Sequence, residues 1–333
     1  MAGDDRKTRR RFLTDSIAAA AAMGSVRAAA SGEQNAPATR PAWAIACRDP
    51  HLRCADRPDA WSAMDALGVD GVEVVVDPDL KCPYLFGPGD TNYSIATPEG
   101  IRVLGERFRS AGKRITAFCL NNDFDGKPDE NVEWTVRVAQ AAAALGVPAI
   151  RLDVVPHRMG DKTDEFLKLA IRLNRKIIDA TRDTTVRFGV ENHGGYTNRP
   201  DVLRRMFEGV GSKRFGQTLD TANFYWFGHP LSKLYRIYDE FGPYICHTHC
   251  KNIRFPEPER EKQREIGWKY NEYCCPIYEG DIDFAQVIAI LRRHDYTGDL
   301  CIENESLDRF PRDRRAAILR KEADLLRKLA ASA

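Results

Sequence analysis

The 333-residue chain lacks several features that would place a protein in a familiar class at once. No stretch approaches the ~20 consecutive apolar residues of a bilayer-spanning helix, so we expect no membrane span after leader removal. No glycine-rich phosphate loop follows the first strand-like run, which disfavours a nucleotide-binding doubly wound sheet. Cysteine occurs nine times, an odd number at irregular spacing, so we expect free buried cysteines, with a Cys47–Cys54 disulfide as the open alternative.

The body of the chain also lacks an excess of charge of one sign. The formal net charge of the whole chain is +2, but the first thirty residues alone hold six Lys or Arg and three Asp or Glu. The remainder therefore carries 44 basic and 45 acidic residues. A near-neutral body has no electrostatic footprint for nucleic acid, so we expect no nucleic-acid partner.

The basic N-terminus has the order of charges and apolar residues that is typical of an export signal. Arg9, Arg10 and Arg11 precede Phe12-Leu13, an alanine-rich stretch and small residues that suit cleavage. We predict a twin-arginine signal peptide over residues 1–30 and a polar linker over 31–41; a basic tail is the alternative. The expected location is the periplasm or the exterior.

Beyond the linker, short apolar runs alternate with longer segments whose apolar residues recur at spacings of three and four. The strand-like runs cover residues 43–47, 72–76, 115–120, 149–154, 186–190, 215–219, 244–249 and 300–302. The helix-like segments cover residues 59–67, 98–111, 131–145, 164–181, 200–207, 230–241, 284–294 and 312–329. Eight strand–helix units predict a single-domain (β/α)8 TIM barrel over residues 42–330, with an open sheet as the alternative.

One connection is too long for a turn. Residues 252–283 join the seventh strand to its helix and include Trp268, Tyr270 and Tyr273. Loops beyond ~15 residues without secondary structure are usually functional or disordered. The aromatic residues favour an ordered lid or a contact in a homo-oligomer.

Acidic and histidine residues end four consecutive strands of the predicted barrel. Glu191, Asp220, His249 and Glu303 follow the fifth to eighth runs, and the first three are each 29 positions apart. Active sites of such barrels lie at the carboxyl ends of the strands, so these side chains should converge there. Three carboxylates and one imidazole suit one divalent ion: Mn²⁺, Co²⁺ or Mg²⁺.

The seventh strand offers two histidines, His247 and His249. They share one face because side chains alternate along a strand, and they differ in height by about 7 Å. His249 is level with the other strand ends, so we predict that it binds the metal and that His247 packs lower. The same alternation places Cys246 and Cys250 on the other face, which disfavours a Cys/His zinc cluster.

Six short motifs resemble those of the xylose-isomerase-like TIM-barrel superfamily, which includes the sugar phosphate isomerase/epimerase family. They are GVDGVE at 68–73, ENHGG at 191–195, LDTAN at 219–223, HTHCKN at 247–252, EGDIDF at 279–284 and YTGDLCIE at 296–303. The resemblance implies that Glu191, Asp220, His249 and Glu303 bind one metal. It also implies that Glu191 and Glu303 act as catalytic acid and base beside a sugar.

The implied reaction is metal-dependent isomerisation or epimerisation of a sugar or keto-sugar through an enediolate. A lyase or dehydratase that acts on a keto-sugar or oxidised glycoside is the alternative. A non-catalytic carbohydrate-binding barrel that retains the metal is a second alternative, of another class. The superfamily also contains endonuclease IV, but a chain with only seven histidines does not suit that enzyme's histidine-rich trinuclear site.

Four further residues are predicted to contact substrate or to orient the metal ligands: Glu73, His193, Asn223 and Lys251. The sequence departs from the ketose 3-epimerases at two of these places. Asn223 stands where those enzymes carry a substrate-contacting histidine, and residues 251–254 replace their arginine-bearing segment. These departures leave the substrate and the reaction open.

Overall fold

Eight parallel strands form the centre of the computed structural model, which describes residues 43–88, 92–160 and 162–332. The strands are β1 Ala44–Arg48, β2 Gly71–Val75, β3 Arg114–Leu120, β4 Ala149–Leu152, β5 Arg187–Glu191, β6 Phe215–Asp220, β7 Ile245–His249 and β8 Asp299–Ile302. The strands are adjacent in chain order and β8 pairs with β1, so the (β/α)8 prediction is confirmed. The predicted signal peptide and linker lie outside the described residues.

The last gap in the sheet, between β7 and β8, is closed just beyond the strand ends. The Cys250 amide donates to the Cys301 carbonyl at 2.6 Å, and the Glu303 amide donates to the Cys250 carbonyl at 3.1 Å. The carboxyl ends of all eight strands therefore form one continuous rim. Since β6 and β7 pair with Asp220 opposite His249, register alone places two predicted ligands side by side.

One long helix follows each strand and packs an apolar face on the barrel. The helices are α1 Ala60–Leu67, α2 Pro98–Ser110, α3 Pro128–Leu145, α4 Thr163–Ala180, α5 Pro200–Val210, α6 Leu231–Phe241, α7 Phe284–Arg293 and α8 Arg312–Ser332. Local signals set several ends. Asp59 accepts from the Ser62 amide at 2.8 Å at the start of α1, and Gly68 ends it with a φ of 69°. Among the described helices, none is both long and apolar enough to cross a membrane.

The connections above the rim contain structure that the sequence did not predict. A short helix, Asn223–Trp226, begins directly after β6. The long connection after β7 is ordered: Asn252–Ile253 pairs antiparallel with Cys274–Cys275, and Tyr270–Tyr273 forms one helical turn. A two-stranded ribbon, Lys81–Cys82 with Tyr93–Ser94, follows β2. These additions lie on the side of the barrel where the predicted site should be.

Candidate metal centre

The four predicted metal ligands meet at the rim. One donor atom from each of Glu191, Asp220, His249 and Glu303 lies within 4.8 Å of the other three, and all four residues are buried. Three of them are the last residues of β5, β6 and β7, and Glu303 directly follows β8. The convergence therefore follows from barrel closure and from the common level of the strand ends.

The two glutamates are each held by an arginine. Arg151 on β4 donates from Nε to Glu191 Oε2 at 2.5 Å, and Arg48 at the end of β1 pairs with Glu303 Oε1. Each arginine thus occupies one oxygen of its carboxylate. The remaining oxygens, Glu191 Oε1 and Glu303 Oε2, lie 3.4 and 3.1 Å from His249 Nδ1. One oxygen of each glutamate is therefore left to face the cluster.

The aspartate and the histidine are oriented in the same way. Asp220 Oδ1 accepts from the backbone amides of Ala222 and Asn223, both at 2.8 Å. His249 Nε2 lies 2.8 Å from Glu73 Oε1, which leaves Nδ1 as the inward atom. A carboxylate that takes the second ring nitrogen of a histidine is the usual device for orienting a metal-binding imidazole.

Three of the atoms that face into the cluster lack hydrogen-bond donors or acceptors within the described chain and are suited to bind a cation. Asp220 Oδ2, His249 Nδ1 and Glu303 Oε2 are buried and make no hydrogen bond of normal geometry to a described residue. The Lys251 ammonium forms ion pairs with two of them, and lies 2.9 Å from Asp220 Oδ2 and 3.1 Å from Glu303 Oε2. Buried polar atoms without partners are costly, and a metal ion would satisfy all three.

The charges around the cluster lead to the same conclusion. Three basic side chains approach it, and five buried carboxylates surround them; the groups are Arg48, Arg151, Lys251, Glu73, Asp153, Glu191, Asp220 and Glu303. Among these groups the carboxylates outnumber the basic side chains by two, an imbalance that favours the binding of a cation. Three carboxylate oxygens and one imidazole nitrogen suit Mn²⁺, Co²⁺ or Mg²⁺. The residues present fit such an ion.

The neighbours also shift the pKa values of these carboxyls. Burial by itself would raise the pKa of Glu303, but Lys251, His249 and Arg48 outweigh it and hold that pKa well below the usual range. Arg151 and His249 lower the pKa of Glu191 against the same effect of burial. Burial raises the pKa of Asp220 to about 7, because Lys251 offsets only part of the cost. The arginine-paired carboxyls are thus the ones held ionised.

A second layer of polar groups lies beneath the cluster. His247 Nδ1 is 2.7 Å from Asp299 Oδ1, and His247 Nε2 is 3.1 Å from Glu73 Oε1. His247 therefore lies below His249, as the alternation along β7 predicted. Glu73 is fully buried between the two rings, so it orients histidines and does not line the pocket.

A cavity of about 370 Å³ opens above the cluster. Its walls include the other three residues predicted to contact substrate, His193, Asn223 and Lys251. Asn223 donates to Glu191 Oε1 at 3.1 Å, and His193 Nδ1 lies 3.0 Å from Asp153 Oδ1. The remaining lining residues are Arg48, Asn121, Arg151, Asp153, Glu191, Trp226, Tyr270, Glu303 and Glu305.

Sequence reasoning missed Arg48 and Arg151. Both belong to strands whose ends carry no predicted ligand, so neither was sought as a partner of the carboxylates. One signal was available: Arg151 stands within an apolar run, two residues before Asp153 and therefore on the same face. A charged residue inside a buried strand requires an opposite charge nearby.

Comparison with known proteins agrees with this geometry. A family model described as the xylose isomerase-like TIM barrel matches residues 61–329. The chain belongs to this family. The resemblance seen in the six sequence motifs is thereby confirmed.

One curated protein is similar to part of this chain at low identity. An uncharacterised protein of Methanocaldococcus jannaschii is 20% identical over 199 residues, which are 59% of this chain. The match spans 58% of that relative, less than two thirds of its length.

Solved structures show the same fold over almost the whole barrel. A xylose isomerase-like TIM-barrel protein of Mycobacterium smegmatis, in complex with magnesium, has a TM-score of 0.63 at 16% identity. The match covers 87% of this chain and 97% of that one. D-allulose 3-epimerase from a Methylomonas species, in complex with D-allulose, has a TM-score of 0.59 at 13% identity, with coverages of 86% and 98%. At such identities the likeness establishes the fold alone.

Proposed function

We propose that this protein is a divalent-metal-dependent isomerase or epimerase of a sugar or keto-sugar. The observation that carries the proposal is the convergence of Glu191, Asp220, His249 and Glu303, with one outward atom of each occupied and one left inward. The magnesium complex and the D-allulose epimerase among proteins of the same fold support the metal and the substrate class.

The two glutamates have the properties of a proton-transfer pair. A divalent cation held by the four residues would polarise a carbonyl and acidify the neighbouring C–H bond. Glu191 and Glu303 come from different strand ends, and neighbouring cations hold both ionised, chiefly Arg151 for Glu191 and Lys251 for Glu303. Either carboxylate can take the proton, and the other can return it to a different face or carbon. Return to another face gives an epimer, and return to another carbon gives an isomer.

The charges of the pocket favour an uncharged sugar. Each of the three cations that line it is already paired with a carboxylate: Arg48 with Glu303, Arg151 with Glu191, and Lys251 with Glu305. A phosphate group would have to compete with these carboxylates. We also propose that the chain is exported through the twin-arginine pathway, which would remove it from cytoplasmic sugar phosphates. Fractionation of cells that express the full chain tests this location.

Solvent exchange tests the reaction directly. The purified protein is incubated in D₂O with D-allulose and a panel of ketoses and keto-glycosides, with Mn²⁺, Co²⁺, Mg²⁺ or EDTA. We expect deuterium to enter a carbon next to a carbonyl, and an epimer or isomer to form, only when metal is present. Release of an eliminated group would favour the lyase alternative. Sugar binding without exchange or product in any metal would favour a non-catalytic barrel and contradict the proposal.

A further inference from the structure

Arg264, in the long connection after β7, is a buried arginine outside the metal centre. Only 8% of the residue is exposed. Its guanidinium lies 4.5 Å from the centroid of the Tyr225 ring and 4.3 Å from that of Phe255. Among the described residues, no carboxylate forms a salt bridge with it, so its direct partners are aromatic faces and carbonyl oxygens.

The carbonyl partners tie two segments together. Arg264 Nη2 donates to the carbonyls of Tyr225 and His229, at 3.2 and 3.1 Å. Nη1 donates to carbonyls of its own loop, those of Glu259 and Lys262. Tyr225 belongs to the short helix Asn223–Trp226, so the guanidinium joins the loop to that helix through a carbonyl of its last turn.

The backbone of the loop docks on the same helix. The Arg264 amide donates to the Gly228 carbonyl at 2.9 Å, and the Gly267 amide donates to the Trp226 carbonyl at 2.9 Å. The approach is close at Gly228, where φ is 108° and a Cβ atom would lie 2.1 Å from the Arg264 carbonyl oxygen. Only glycine permits this contact without displacing the loop.

The docked segments both contribute to the wall of the cavity. Trp226 lines it from the short helix after β6, and Tyr270 lines it three residues beyond Gly267. Tyr270 Oη in turn donates to Glu305 beyond β8. The loop thus contacts the segment after β6 at one place and the segment after β8 at another. Arg264 makes the contact on the β6 side.

Burying a guanidinium without a salt-bridge partner costs stability. A loop on the surface could be anchored at lower cost by apolar residues. The cost is understandable if the contact sets the geometry of the pocket. We propose that Arg264 is a positioning residue that holds the Trp226 and Tyr270 walls at a fixed separation and thereby sets the affinity for the sugar. This inference rests on the proposed function of the site.

Two variants break the contact from opposite sides. Arg264→Lys keeps the charge but loses the fork of donors, and Gly228→Ala leaves the arginine but pushes the loop away. With Mn²⁺ and D-allulose, we expect KM to rise about tenfold in both, with kcat changed less than about threefold. The dissociation constant for Mn²⁺ should stay within about twofold of the wild type, because no metal ligand moves.

Amide hydrogen exchange measures how firmly the two docked segments are held, and it needs no substrate. Peptides covering residues 223–230 and 264–273 should exchange about tenfold faster in both variants, with barrel-strand peptides unchanged. Lys262→Gln is the control, since Lys262 lies in the same loop but its exposed side chain pairs with Glu259, at 2.7 Å. It should behave as the wild type.

The outcomes separate the two proposals. Unchanged exchange at both segments, or loosened segments with an unchanged KM, would overturn the role of Arg264. If protection from exchange is lost throughout the protein and Mn²⁺ affinity is lost as well, Arg264 has a merely structural role, and the proposal is overturned. If the wild type turns over no ketose, the proposed function fails, and the exchange pattern still decides whether Arg264 holds the walls.

Discussion

The two halves of the rim supply different members of the site, and we call the ligand-bearing half, β5 to β8, the acidic side, and the pair Arg48 and Arg151 the basic side. β5 to β8 supply the acidic residues and the histidine of the cluster, whereas β1 and β4 supply Arg48 and Arg151, which hold two of the acidic residues. Carboxylates withdrawn from water stay ionised only beside a cation. The acidic side therefore depends on the basic side, although only the acidic side looks like a site in the sequence.

The comparison extends to buried carboxyls elsewhere. Glu303 and Glu322 are both fully withdrawn from solvent, yet their pKa values shift in opposite directions. Glu303 has Lys251, His249 and Arg48 around it, whereas Glu322 on α8 forms no salt bridge with a described basic residue. Burial alone thus favours the neutral acid, and the cations of the rim reverse that preference.

The largest effect should come from the acidic side. Glu191→Gln and Glu303→Gln each remove a carboxylate while keeping the shape, so we expect kcat to fall about 10³-fold or more. The circular dichroism spectrum should be unchanged. Glu106→Gln, on the exposed face of α2, is the control and should retain activity. Full activity in both site variants would contradict the assignment of acid and base.

Substitutions on the basic side should have the next largest effect on activity. Arg151→Met leaves Glu191 Oε2 without its donor inside the barrel, so we expect about 10²-fold lower kcat and a loss of about 3–5 kcal/mol in the free energy of unfolding. Arg151→Lys should recover part of both. Denaturant melts with and without Mn²⁺ measure the effect. Wild-type stability in the methionine variant would show that the two sides are independent.

The layer below the cluster should have a smaller effect. Glu73→Gln weakens the partner of His249 Nε2, so the dissociation constant for Mn²⁺ should rise about tenfold. Asp299→Asn is a useful comparison, because Asp299 contacts His247 and not His249. It should change Mn²⁺ binding less. Equal effects of the two variants would mean that the layer acts as a whole and not through one hydrogen bond.

The smallest effect on activity should come from Glu322. Burial raises its pKa to about 8, from an ordinary value of 4.5. The folded state holds this proton more tightly than the unfolded chain, so the stabilisation is complete below about pH 4.5 and is lost as the pH rises through about 8. The loss should be on the order of 1 kcal/mol per pH unit within that window.

Glu322→Gln tests this contribution, because the amide keeps an acceptor for Ile277 and Asn304 but cannot ionise. Thermal melts of both proteins at pH 5, 7 and 9 should converge at acid pH, with the variant more stable at pH 9. Parallel pH profiles would show that the carboxyl does not titrate in this range.

The sequence predicted the barrel and the cluster for one reason. Each of Glu191, Asp220, His249 and Glu303 ends a recognisable apolar run, and a closed parallel sheet brings such ends to one rim. Arg48 and Arg151 could not be found in this way. Their role depends on partners 255 and 40 positions away, which only strand register brings into contact.

The long connection shows the same limit. Its length and aromatic content indicated an ordered segment, and the structure confirms that it is ordered. No periodicity in residues 252–283 could reveal that Arg264 would lie between Tyr225 and Phe255, or that Gly228 would lie against its backbone. Loop docking depends on contacts between irregular segments, for which sequence has no repeating pattern.

The sequence by itself determined the eight strand–helix units, the common level of the four ligands and the choice of His249 over His247, because these follow from the local periods of strands and helices. The tertiary structure decided which atom of each ligand faces inward, which cations hold the acidic side, and what forms the walls above it. Those features arise only when the barrel closes, because closure removes water from the charges and leaves each one dependent on its nearest partner.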